Sequence, residues 1–155
     1  MYRHYLVPVD GTQLSVDTAT QAVFLASETK SKITFMYATP DFSASSDGAL
    51  MLNMFPTEFA KGVTKIAEDI LTKVAELAKA KGVEYDAVSE VSAHPYVAII
   101  KTAKEKGCDL IFMASHRERG IHGLLQGSQT DKVLHHSPIA VLVAAAVEDK
   151  EHKGS

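Results

Sequence analysis

Two stretches of this chain carry residue types that could meet a small polar ligand. In the first, Asp10 and Gly11 close the apolar run HYLVPVD. A carboxylate at that point can accept hydrogen bonds from a sugar hydroxyl or a ring amino group, or it can cap the turn and the segment after it. Pro8, two residues earlier, brings no backbone N–H, which implies a local break in the ladder of a central strand and room for a ring. In the second, residues 113–130 read MASHRERGIHGLLQGSQT. Gly127 lets backbone approach a ligand closely. Ser128 and Thr130 can either cap a helix or turn a hydroxyl to a phosphate. Between the two halves of that stretch stand Arg117, Glu118 and Arg119, where small residues would suit such a ligand better.

Other chemistries find less support. His116 and His122 sit six apart in a loop, and His135 and His136 suit the C-terminus of a helix better than a metal. No Ser/His/Asp set and no carboxylate pair can be argued from spacing, so no catalytic residue and no metal site are expected. The single cysteine, Cys108, has no disulfide partner and no zinc spacing. It reads as a small buried thiol, with a redox role as the alternative.

These residues need elements to position them. Residues 4–10 and 32–40 are rich in β-formers and read as buried strands. Residues 85–92 alternate, and 108–115 and 138–146 are apolar runs. Between them lie helical periods. Ser15 can cap the first, which carries Val16, Ala19, Val23 and Ala26 to about residue 28. Thr57 can cap a long one with Phe59, Val63, Ile66, Ile70, Val74 and Leu77 in its stripe, ending at Gly82. Pro95 opens a third, with Val97, Ile100 and Ala103 lining it, and 128–136 form a fourth. Residues 41–56, DFSASSDGALMLNMFP, show no clean period and read as a long loop, either poorly ordered or covering a cleft or a partner. Strict strand–helix alternation predicts a parallel sheet covered on both faces. Ligands of such sheets sit at the carboxyl ends of the strands, where the strand order reverses, here at Asp10–Gly11 and from Ala114 and Ser115 onward.

Composition narrows the setting. The 155 residues suit one domain, taken as 1–147, with a charged tail at 148–155. The formal charge is −3 and no basic run is longer than two residues, so a nucleic-acid partner is not expected. The apolar run 139–147 is far too short to span a bilayer, and MYRHYLVPVD does not read as a leader. A reducing, cytoplasmic setting is expected.

The opening YLVPVDGTQLS and the segment CDLIFMASHRERGIHGLLQGSQTDKVLHHSPIAVLV strongly resemble the universal stress protein family, across about residues 4–146. The resemblance implies a flavodoxin-like, adenine-nucleotide alpha-hydrolase-like three-layer sandwich with strand order 3-2-1-4-5. It also implies ATP or AMP as ligand, with Mg2+ only beside a triphosphate, and a homodimer formed through the last strand, 138–146. A regulatory protein partner is a further expectation. Nucleotide-binding members carry Gly, two residues, Gly, nine residues, Gly, then Ser or Thr. On this chain those glycines fall on Ala114, Arg117 and Gly127, with Ser128 following. By the same resemblance, base and sugar would lie near Pro8, Asp10, Ala38 and Met113. Phosphates would lie along 114–117, including Ser115, and along 127–130, including Gln129. Arg117 either fills the phosphate space or turns out and pairs with phosphate oxygens. The chain is then either a nucleotide-binding stress protein or a nucleotide-free interaction module whose cleft Arg117 plugs.

Overall fold

The computed structural model describes residues 1–115 and 127–145, with residues 127 and 128 described through their backbone. Five parallel strands form one sheet: β1 (His4–Val9), β2 (Lys32–Pro40), β3 (Tyr85–Ser92), β4 (Leu110–Ala114) and β5 (Ala140–Ala144), in the order β3-β2-β1-β4-β5. The expected order 3-2-1-4-5 is therefore observed. Helices α1 (Gln13–Thr29) and α3 (Pro56–Ala80) cover one face, and α4 (Pro95–Glu105) and α5 (Gly127–His136) the other.

The central strands are nearly continuous apolar runs because both of their faces are buried. Alternation along them divides the core in two. Tyr5, Val7, Val9, Ile33 and Phe35 pack under α1 and α3, while Leu6, Met36, Ile111 and Met113 pack under α4 and α5. β3 is a sheet edge, and its residues alternate between half-buried and exposed along most of its length.

Several local expectations give way to the structure. Thr12, not Ser15, is the N-cap of α1, its hydroxyl accepting from the Ser15 N–H. The Asp10–Gly11 turn is so tight that the helix starts sooner, and buried Ser15 instead accepts from the Asp10 N–H at 3.0 Å. Gly11 holds φ +84, and a Cβ there would stand 3.1 Å from the Ile70 side chain. The long helix starts at Pro56, so Thr57 lies inside it rather than at its cap; proline at the first position forfeits no helical bond. Ile66 and Val97 point outward, and Ala67, Ala78, Ala98 and Ala103 take the inner places, since small residues let helices lie close on the sheet. The last strand is shorter than 138–146.

The stretch 41–56 is not an unstructured loop. A 3-10 turn (Phe42–Ala44) leads into α2 (Ser46–Met54). Asp41 accepts from the Ser43 N–H at 3.1 Å and Ser45 from the Gly48 N–H at 3.0 Å, and Phe42 meets Phe59 of α3 edge-on at 5.5 Å. The period was illegible because α2 buries none of its residues, so nothing selects an apolar face.

Candidate functional site

The strand order reverses between β1 and β4, and there the sheet opens. β1 is matched to β2 from His4–Lys32 through Pro8–Met36 to Val9–Tyr37. It is matched to β4 only at Tyr5–Leu110 and Leu6–Ile111. Both strands run on past that last pair, so the break expected from Pro8 lies on its β4 side. Such a parting at the carboxyl ends is where doubly wound sheets bind ligands.

The fold places most of the expected site residues around this opening. Pro8 and Asp10 share the strand face of Leu6, and Ala38 and Met113 belong to the same α4-side cluster. Carried past its last pair, the β1–β4 register sets Pro8 level with Met113 and Asp10 level with Ser115. Ala38, Met113 and Ala114 are buried. Ala114 is an ordinary strand residue, and among the described non-glycine residues positive φ occurs at Lys30 alone, so a methyl group at 114 is conformationally tolerated. Gly127 and Ser128 form the first turn of α5. Arg117 lies outside the described residues, as do His116, His122 and the tail 148–155.

Several of these groups already hold the fold. The Asp10 carboxylate accepts from the Thr12 N–H at 3.0 Å and from the Thr12 hydroxyl at 2.6 Å, fixing the turn into α1. Ser115 donates its backbone N–H to the Ala144 carbonyl at 3.0 Å. Gln129 accepts from the Tyr96 N–H at 3.1 Å, which serves an orphan donor in the first turn of α4. Buried Thr130 donates its hydroxyl to the Ala114 carbonyl at 3.0 Å and so ties α5 to the end of β4. Burial, and then the Asp10 carboxylate, push the Tyr37 phenol up, which keeps it neutral beside the turn.

A second polar cluster lies at the other end of the sheet. Thr34 donates its only hydroxyl proton to Asp86 at 2.5 Å. His4 must therefore be the donor in its 2.7 Å contact with Thr34, through Nε2–H. Lys106 reaches the other Asp86 oxygen at 3.2 Å. His4, Thr34 and Asp86 fall on three neighbouring strands, which only pairing the strands reveals. Cys108 adjoins them; burial pushes its thiol up to about 11, so it stays protonated and inert, in keeping with a small buried thiol. Among the described residues no group of three or more His, Cys, Asp or Glu side chains is placed to hold a metal.

The chain belongs to the universal stress protein family, whose sequence model matches residues 1–145. Universal stress protein YxiE of Bacillus subtilis is 26% identical over 146 residues, covering 92% of this chain and 99% of its own. Universal stress protein MJ0531 of Methanocaldococcus jannaschii is 24% identical, over 92% of this chain and 82% of its own. Among solved structures, hypothetical protein MJ0577 superposes with a TM-score of 0.76 at 20% identity, covering 96% of this chain and 99% of that one. A universal stress protein in complex with cAMP superposes at 0.67 and 23% identity, over 93% and 97%. One from Archaeoglobus fulgidus in complex with dAMP does so at 0.63 and 13%, over 92% and 97%. At these identities the structures establish the shared fold.

Proposed function

We propose that this protein binds an adenine nucleotide, ATP or AMP, in the crevice between the carboxyl ends of β1 and β4, and that it acts in the stress response through that binding. The observation that carries the reading is the parting of β1 from β4 beyond Leu6–Ile111, with α5 starting at Gly127 and held to the end of β4 by Thr130. A helix N-terminus, here that of α5, presents backbone N–H groups and a positive dipole end to a phosphate. The complexes of related folds with cAMP and dAMP support the ligand class. In this reading Pro8, Asp10, Ala38 and Met113 meet base and sugar. Residues 114–117 and 127–130 meet phosphates, and Mg2+ enters only with a triphosphate. Any ATPase activity is slow.

A second reading has its own support. Ala38, Met113 and Ala114 are buried, and Ser115, Gln129 and Thr130 already have partners, which suits a closed cleft. The protein would then be a nucleotide-free module that docks a regulatory partner. A homodimer is proposed in either case. β5 is an edge strand with Ala140 and Val143 exposed, and an edge of this kind tends to pair. Sedimentation at micromolar concentration checks it; a monomer refutes it.

The deciding experiment is to purify the protein without added ligand, denature it, and quantify released ATP, ADP and AMP per chain. Near-stoichiometric adenine nucleotide is expected, together with weaker binding in Asp10→Ala and equal or tighter binding in Arg117→Gly. An empty extract with no rise in melting temperature on adding ATP or AMP rejects the first reading.

A further inference from the structure

We propose that a cleft at the amino ends of the strands, on the α1 side of the sheet, binds a small amphiphilic anion: an apolar body with an anionic head. The cleft lies at the opposite end of the molecule from the β1–β4 opening, and the proposal is independent of nucleotide binding. Its volume is about 840 Å³, within the range of small-molecule sites. It exists because α1 packs over the middle of the sheet and α3 over its β2–β3 side, leaving Leu142 of β5 only partly covered. Leu25, Leu110 and Leu142 give it an apolar floor.

The mouth is cationic. Arg3, Lys30 and Lys81 line it, beside Met1. None of the three cations is in an ion pair among the described residues. Lys32 and Glu84 also line the cleft, but strand alternation sets both side chains on the face of Thr34 and Asp86, beyond the sheet. Two of the three cations stand where helices end, Lys30 as C-cap of α1 and Lys81 as C-cap of α3. Each helix end carries the equivalent of roughly half a negative charge. The two ends offset about one of these positive charges and leave the mouth net positive, which suits an anionic head. Lys30 keeps its ammonium there although its φ of 56° is a conformation in which glycine is usual.

One wall is fixed in advance. Tyr5 reaches the Thr29 hydroxyl at 2.7 Å, Thr29 reaches Ser31 at 2.7 Å, and Ser31 donates to the Tyr2 carbonyl at 2.9 Å. This relay ties the end of α1 and residue 2 to β1, so that part of the wall is set before a ligand arrives.

The test uses anilinonaphthalene sulfonate, a fluorescent monoanion with an apolar body, and its uncharged phenylnaphthylamine analogue. Expected is saturable binding of the anion at one site per chain, displaced by decanoate but by neither decanol nor ATP. Arg3→Glu with Lys81→Glu should weaken it about tenfold at low salt, and Lys30→Gly about threefold. Lys30→Gly suits the backbone at its position, so its fold is safe and its effect is read cleanly. The proposal fails if the uncharged analogue binds as tightly, if these variants leave affinity unchanged, or if ATP displaces the probe.

Discussion

At the amino ends of the strands, polar side chains bond to partners far away in the chain. Asp109 takes the Arg3 and His4 N–H groups, Thr34 joins His4 to Asp86, and Lys106 joins the same carboxylate. At the carboxyl ends the polar bonds are mostly local: Asp10 to Thr12, Ser15 to Asp10, Asp41 to Ser43, Ser45 to Gly48. The difference has a mechanical consequence. Separating strands at the amino end orphans polar groups, while separating them at the carboxyl end leaves each turn satisfied by itself. The end proposed to admit a nucleotide is thus the end that can open at small cost.

The largest effect should come from Thr34→Val. The swap nearly preserves shape but strips Asp86 and His4 of their shared partner in a fully buried position, at a cost of about 2 kcal/mol, spread over global stability. The urea midpoint should fall with the slope unchanged. An unchanged midpoint would mean the cross-strand network adds nothing.

Thr130→Val should rank next, at about 1 kcal/mol, because it leaves the Ala114 carbonyl without its donor. Thr130 and Gln129 are the exceptions to local bonding at the carboxyl end, since they clamp α5 to β4 and α4. Amide exchange should therefore speed up in α5 more than in β1. Uniform acceleration would contradict the contrast between the ends.

Gly48→Ala tests the most local case. A Cβ there would lie 2.0 Å from the Phe42 carbonyl oxygen, so the 3-10 turn and α2 cannot both stay in place. Since α2 buries nothing, the loss is capped at the melting of α2 itself. Helical signal should drop while the main transition moves by less than about 0.5 kcal/mol.

These cases also explain what the sequence made legible. Strand runs such as KITFMYATP and the punctuation at Gly11, Gly82 and Pro95 have mechanical causes within a few residues, so order and topology could be read. Asp10 could be located, but its tie to Thr12 emerges only when the turn is built. Thr34 is a polar residue in the mostly apolar strand KITFMYATP; His4 and Asp86 are 30 and 52 residues away from it, and nothing local links them. Ile66 fitted the helical stripe yet faces out, because which turn of a long helix overhangs the sheet depends on the sheet's width.

The smallest effect is on pH dependence, and it separates the two ends by titration. Burial first, then Lys32, lower the His4 pKa below its ordinary value, against the opposing pull of Asp86, Asp109 and Glu84. Between that lowered value and about 6.5 the unfolded chain binds the proton more readily than the native one, so stability rises with pH. The His4 contribution is therefore complete above about pH 6.5 and is lost as pH falls through the native value. Burial raises Asp86 and Asp109, but the Thr34 hydroxyl and Lys106 outweigh it for Asp86, and the Arg3 and His4 N–H groups outweigh it for Asp109; both end up lowered. Their contribution is present above about pH 4 and disappears below it. The acid limb should thus descend in two steps. His4→Gln keeps an N–H for Thr34 and cannot titrate, so it should erase the upper step alone. Because the ring is half-exposed, that step should be no more than about 0.5 kcal/mol. Urea midpoints at about pH 7, 5 and 3.5 measure it. If the upper step survives in His4→Gln, some other group titrates there, and the amino-end network is insensitive to its one imidazole.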